Sequence, residues 1–146
     1  MTGHSKIRWR VCWEGTDSPF HFGETISTDL ANYNGRSWDG QSGANRERTV
    51  DVGSFPPNAW GLHDVIGNVG EWTTDRCAPF PVNQDGPLVD PRGSQTDGIR
   101  VIRGGSWRTV PAECRSGASC YYMPQRRNST NGLRLAANPT PKGTER

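Results

Sequence analysis

A chain of 146 residues is long enough for one domain and too short for two. Seventeen basic and fifteen acidic residues leave a net charge of +2, which excludes the strong field of a nucleic-acid or membrane binder. Hydrophobic residues make up only 32% and Gly and Pro together about a fifth, which excludes long helices, while six Trp, four Phe and three Tyr exclude a solvated coil.

The composition therefore predicts a compact, loop-rich fold with an aromatic core. No apolar run approaches the roughly 20 residues of a bilayer span. The start, Met1 to Trp9, has no apolar stretch of the signal-peptide kind, which points to a cytoplasmic location. Repeats and heptads are absent. Cys12, Cys77, Cys114 and Cys120 form no Cys-x-x-Cys pair, so a zinc ribbon is excluded. Two disulfides would suit a secreted protein; without a signal peptide the expectation is reduced thiols.

In chain order, residues 1–19 are basic and weakly patterned. Residues 20–36 predict a short strand and a turn at Asn34-Gly35. Residues 37–49 read as a polar surface loop and 49–53 as a short strand or extended stretch. Pro56-Pro57 fixes an extended entry. Asp64 to Trp72 reads as a turn leading into a strand. Residues 78–98 are loop again. Arg100 to Trp107 predicts a strand running into a Gly-Gly bend, and 108–131 is irregular. Gly132 to Ala136 predicts a closing strand with Leu133 and Leu135 on one face and Arg134 on the other. Residues 138–146 hold no core residues and are expected to fray.

Three blocks stand in order: Asn58-Ala-Trp-Gly-Leu-His-Asp-Val-Ile-Gly-Asn-Val-Gly-Glu-Trp72, Arg103-Gly-Gly-Ser-Trp107 and Gly132-Leu-Arg-Leu-Ala136. Together they resemble the sulfatase-modifying (formylglycine-generating enzyme) domain family, and residues 16–24 and 30–35 are similar to its middle section. The resemblance covers roughly residues 13–137. It implies an α+β, C-type-lectin-like fold of the formylglycine-generating type, loop-rich with short antiparallel strands. It also implies one domain over 1–137, a flexible tail over 138–146, and an N-terminus truncated relative to the family. Missing core elements would expose apolar surface and favour partner pairing or poor solubility.

In the family's enzymes two cysteines after the Gly-Gly-Ser-aromatic block bind copper, because paired thiolates are soft ligands for Cu(I). Here the second position is Cys114 and the first is Thr109, whose hydroxyl is a poor Cu(I) ligand. Cys120 could approach Cys114 but lies out of the family register. The expectation is a domain that is not itself a copper oxidase. The ergothioneine-type relatives need an iron-binding histidine cluster, which His4, His21 and His63 do not make.

Asp64, Gly67, Val69 and Glu71 match positions that bind calcium in the family. Two carboxylates and two carbonyls on a Gly turn are hard oxygen donors. Alternatively, Asp64 caps the turn and Glu71 satisfies backbone donors. Asn32 and the Tyr33 carbonyl resemble part of a second such site. Trp60, Trp72 and Trp107 read as core packing, with an aromatic ligand platform as the alternative. Gly70 stands where the family carries a further Trp, which would leave a gap. Gly104, Gly105 and Ser106 resemble the bend that floors the family's active site, and here read as a structural bend. Cys114 reads as a buried small hydrophobe rather than a metal ligand.

Arg108, Thr109 and Val110, then Ala118, Cys120, Tyr121 and Tyr122, then Asn128, Ser129, Thr130 and Asn131 cluster between framework pieces. They resemble the diversified positions of retroelement variable proteins that share this fold. There, template-adenine mutagenesis turns Asn codons into Tyr, Ser, Thr, Cys, Ala, Val or Arg; Met123 is not reachable from AAC or AAT by that route. Such residues also suit binding, combining rigid amphipathic area with adaptable hydrogen bonding. The leading expectation is a ligand- or protein-binding domain using the 108–131 surface, with a protein or peptide partner, no nucleic acid and no membrane. Calcium would be its structural ion. The alternatives are a copper- and oxygen-dependent oxidase of peptidyl cysteine, with Cys114 on copper and Ser106 lining the pocket, and an inactive remnant whose loops have drifted.

Overall fold

A computed structural model describes residues 18–36, 42–77 and 98–135. The expectations for residues 1–17, including Cys12, for the loop at 78–97 and for the tail at 138–146 lie outside these.

Four short strands form one sheet: β1 (Gly70–Arg76), β2 (Arg100–Arg103), β3 (Cys120–Tyr122) and β4 (Asn131–Gly132), in the order β3-β2-β1-β4. β1 and β2 are antiparallel, with Glu71 opposite Arg103 and Trp72 opposite Ile102, and a bulge falls between Trp72 and Arg76. β2 and β3 are also antiparallel, with Ile102 opposite Cys120. β4 runs parallel to β1, pairing Asn131 with Gly70, so the sheet is not purely antiparallel as expected. Among the described residues the only helical element is a 3-10 turn, Pro111–Glu113, opened by a proline whose missing N–H costs nothing there.

β1 and β2 form where aromatic and β-branched residues concentrate: Trp72, Thr73 and Thr74, then Val101 and Ile102. Successive side chains of a strand point to opposite faces, yet Val101 and Ile102 are both buried. Both faces of β2 are therefore covered. The Thr73 hydroxyl donates to the Val101 carbonyl at 3.0 Å, tying the two strands inside.

The main core lies beside the sheet: Phe20, Ile26, Ala31, Tyr33, Val65, Ile66 and Cys114, with Phe22 and Leu62 packed against it. Burying an aliphatic or aromatic side chain of this kind contributes about 1.5–3 kcal/mol. Trp60 is 51% exposed and Trp72 and Trp107 are half-buried, so the core-packing reading fails for Trp60, and among the described residues the buried core rings are Phe and Tyr.

Several local expectations are corrected. Residues 20–36 contain no strand; Phe20 pairs with Gly23 and Asn32 with Gly67 as isolated bridges. The turn at Asn34-Gly35 forms, with Asn34 Oδ1 accepting from Arg36 N at 3.2 Å. Residues 49–53 make no strand, because Val50 spends its N–H and carbonyl on the Asn68 side chain. The closing strand stops at Gly132, leaving Leu133 69% and Leu135 90% exposed while Arg134 turns inward. Among the described residues, Cys77, Cys114 and Cys120 form no disulfide with one another.

Candidate functional site

Two glycines create the floor of the site. Gly104 and Gly105 hold φ of +85° and +72°, values that favour glycine. A Cβ at Gly104 would meet the Val65 carbonyl at 2.8 Å, and one at Gly105 would meet Cys114 Sγ at 2.7 Å. The chain can thus reverse onto the core only without side chains here. Gly67 N donates to Gly104 O at 2.7 Å and Trp107 N to Asn68 O at 3.0 Å, fastening the bend to the 64–69 turn.

The next turn is closed by Ser106 and Thr109. Thr109 Oγ1 accepts from Ser106 N at 2.9 Å and lies 2.9 Å from Ser106 Oγ. Thr109 N donates back to Ser106 O at 3.0 Å, and the Thr109 carbonyl accepts from Asn34 N. Cys114 is fully buried, with its thiol 3.9 Å from that carbonyl. Positions 109 and 114 therefore lie together around Gly105. The hydroxyl is, however, committed to the Ser106 turn.

Beside this turn lies a cleft of about 40 Å³, whose wall includes Gly70, Glu113 and Cys120. The structure brings Ser106, Thr109, Ala118, Cys120, Tyr122, Thr130 and Asn131 to it. It does not bring Arg108, Val110, Tyr121, Asn128 or Ser129. Strand alternation explains the split in β3: Cys120 and Tyr122 face the cleft, and Tyr121, 53% exposed, faces solvent. Asn128 instead caps the next turn, its Oδ1 accepting from Thr130 N and Thr130 Oγ1 at 3.0 Å each. The Ser129 carbonyl accepts from the Trp107 indole at 3.1 Å. Gly70 lines this cleft, so open space does lie beside it, although a Cβ there would lie 2.6 Å from Ile102 Cγ2.

Glu113 escaped the sequence reading. Its signal was the Pro111 start of a single turn, which places an acidic residue beside the cleft. Burial pushes the Cys120 thiol up, Glu113 pushes it further, and Arg103 offsets part of this. Thiol rather than thiolate is thus the favoured form in the cleft. Asn131 Nδ2 is buried without a hydrogen-bond partner.

The calcium positions are split. Asp64 Oδ2 accepts from Gly53 N at 2.6 Å, while Oδ1 is buried with no hydrogen-bond partner, which is the kind of oxygen that calcium takes. Glu71 Oε1 accepts instead from Arg134, at 2.8 Å from Nε and 2.7 Å from Nη2. Among the described residues no three His, Cys, Asp or Glu side chains gather as a metal cluster. For copper the donor set does not fit: one buried thiol and one occupied hydroxyl are not a soft two-thiolate site.

Asn32 and Asn68 form a knot not foreseen in this form. Asn32, fully buried, donates to Arg48 O at 2.9 Å and to Asn68 Oδ1 at 3.1 Å. Asn68, at φ +61°, also holds Val50. The knot fixes the 64–69 turn on which the Gly-Gly bend rests.

The chain is 35% identical over 96 residues to the formylglycine-generating enzyme of Thermomonospora curvata, matching 62% of this chain and 32% of that enzyme. It is 38% identical over 94 residues to the hercynine oxygenase of Mycobacterium tuberculosis, matching 61% of this chain and 22% of that protein. Its structure superimposes on Treponema denticola variable protein 1 with a TM-score of 0.69 and 28% identity, over 91% of this chain and 45% of that one. The chain thus spans less than half the length of each. A family profile described as the sulfatase-modifying factor enzyme 1-like domain matches residues 5–139, so the chain belongs to that family.

Proposed function

We propose that the chain is a ligand- or protein-binding domain of this family that uses the 108–131 surface and does not oxidise peptidyl cysteine. One observation carries the reading: Thr109, at the position of the enzymes' first copper cysteine, ties its hydroxyl to Ser106. A neutral hydroxyl in a closed turn has neither the softness nor the charge to hold Cu(I). Likeness to a variable protein over 91% of this chain supports diversified positions in the same segment. A near-copy of the 3′ coding region differing mainly at adenines would be the genomic signature of that origin.

Calcium is proposed as a structural ion at Asp64, Gly67, Val69 and Glu71. The buried, unpartnered Asp64 Oδ1 supports it. Arg134 neutralises one of the two carboxylates, so the affinity belongs at the weak end, about 10⁻³ M.

The second reading is the oxidase, favoured by the 35% identity to a formylglycine-generating enzyme. In it Cys114 holds copper, Ser106 lines the pocket and the second ligand comes from outside this turn. The deciding experiment supplies Cu(I), oxygen, a reductant and a Cys-containing sulfatase-type peptide, followed by mass spectrometry, with circular dichroism as the folding control. The expected result is no product from folded protein. Turnover that disappears in Cys114→Ser would overturn the binding reading.

A further inference from the structure

The cleft crosses the sheet. Ile102 stands opposite Cys120, and Gly70 opposite Asn131, so one face of all four strands contributes to its wall. It opens where β1 carries no side chain. A Cβ at Gly70 would stand 2.6 Å from Ile102 Cγ2, 3.6 Å from Thr130 O and 3.7 Å from Gly105 O, and all three residues belong to the wall. A side chain at position 70 would therefore point into the cleft. The backbone makes no demand for glycine there, since Gly70 is not among the positive-φ positions. The wall is also rich in acceptors. Glu113 is its one charged side chain, and among the described residues no cation pairs with it. Arg103 lies on the other face of β2 from Ile102, its Nη1 held by the Ala118 carbonyl at 2.7 Å. Among the described residues the Gly105 carbonyl accepts no hydrogen bond. The Thr130 carbonyl accepts from Gly70 N at 2.8 Å, which leaves it a second lone pair.

We propose that this cleft binds a primary ammonium group, the tip of a lysine side chain or of a small alkylamine, with Glu113 as its counter-charge and the Gly105 and Thr130 carbonyls as further acceptors. The proposal rests on the binding reading above and adds the chemistry of the ligand. An ammonium offers three donors and no acceptor, which complements one carboxylate and two carbonyls. Its charge is compact, and a cleft of about 40 Å³ holds a tip of that size and little more. Glu113 repels a carboxylate from the same space. Its charge reaches the interior, since it helps to raise the pKa of the Cys120 thiol on the opposite wall. Because Glu113 is itself exposed, its contribution is modest and the tip alone binds weakly.

The test titrates the isotope-labelled full chain of 146 residues with n-butylammonium at constant ionic strength and follows the amide NMR spectrum. The proposal expects saturable shifts at Gly70, Gly105, Cys120 and Asn131. Butyrate, of the wrong charge, and tetramethylammonium, a cation without N–H, should not produce them. Glu113→Gln should weaken binding at least about threefold. Gly70→Ala should fill the space and abolish binding; because its Cβ must displace Ile102 Cγ2, the exposed Glu113→Gln variant is the deciding one. An acetylated Gly-Gly-Lys-Gly-Gly amide that binds at least tenfold tighter than butylammonium would assign the tip to a polypeptide partner, and equal or weaker binding would assign it to a free amine. Equal shifts from butyrate or tetramethylammonium, or an unchanged affinity in Glu113→Gln, would overturn the ammonium and leave the binding reading standing. No saturable shift from any probe would overturn this proposal, whereas the binding reading falls separately, on turnover in the Cu(I) oxidation assay.

Discussion

Arg134 and Glu71 meet across 63 positions of sequence: Arg134 Nη2 lies 2.7 Å from Glu71 Oε1, and the same nitrogen donates to the His63 carbonyl at 2.8 Å. One guanidinium thus joins the segment after β4 to both the start of β1 and the loop before it. The side chains are 31% and 15% exposed, between a surface pair and a buried one. Arg134→Met should cost about 2 kcal/mol, below the full penalty of breaking a buried pair. Chemical denaturation of the two single variants and of R134M/E71M checks this. A double variant no less stable than the worse single one would show the coupling.

Gly105 should tolerate no side chain. Gly105→Ala adds a Cβ at φ +72° and 2.7 Å from Cys114 Sγ. The expected loss is about 2–3 kcal/mol, from backbone strain together with overpacking. Gly117→Ala is the control, because nothing lies within 4 Å of a Cβ there. Thermal unfolding of the two should differ in the same direction.

The Cys120 thiol should be sluggish. Burial and Glu113 raise its pKa above the ordinary thiol value. Alkylation by iodoacetamide, mapped by mass spectrometry, should be slower at Cys120 than at an exposed model thiol near neutral pH, and faster in Glu113→Gln. The linkage has a definite sign. A raised folded-state pKa stabilises the fold fully below the unfolded value of about 8.5, and that contribution is lost as pH rises through the folded value. Cys120→Ser should therefore flatten the alkaline limb of the stability profile.

Copper binding should be gained rather than lost by mutation. Thr109→Cys places a second thiol at the position brought beside Cys114. Competition with a chromophoric Cu(I) chelator should show tight binding in the variant and little in the native chain. Removing Cys114 from the variant should abolish it.

Calcium should act weakly on stability. At about 5 mM calcium and a dissociation constant near 10⁻³ M, the expected gain is about 1 kcal/mol, or about 3–4 °C in Tm relative to EDTA. Asp64→Gly, which keeps the φ of +54° accessible while removing the buried oxygen, should abolish the shift. Magnesium should not replace calcium, because it demands a stricter octahedron.

Much of the framework was legible in residue types. Asn34-Gly35 turns, Arg100 to Arg103 is a strand, and Gly104-Gly105 bends, because each answers a backbone demand that only certain residues meet. The ordered blocks around Asp64, Arg103 and Gly132 were likewise enough to identify the family that the profile and relatives then showed. Alternation misled where it was read without partners. Leu133 and Leu135 have the spacing of an inward face, yet Arg134 takes that place because Glu71 and the His63 carbonyl are there to receive it. Val50 and Val52 read as a short strand or extended stretch; no strand forms, because the Asn68 amide captures Val50 and leaves Val52 88% exposed.

By itself, then, the sequence determined the turns, the principal strands and the family, because those depend on φ, on β-branching and on the order of short motifs. Only the tertiary structure decided which residues of 108–131 share a cleft, that Thr109 closes on Ser106, and that Asn32 and Asn68 knot the core. Each of these is a matter of long-range pairing, in which a polar group's fate is settled by whichever distant donor or acceptor the fold delivers to it.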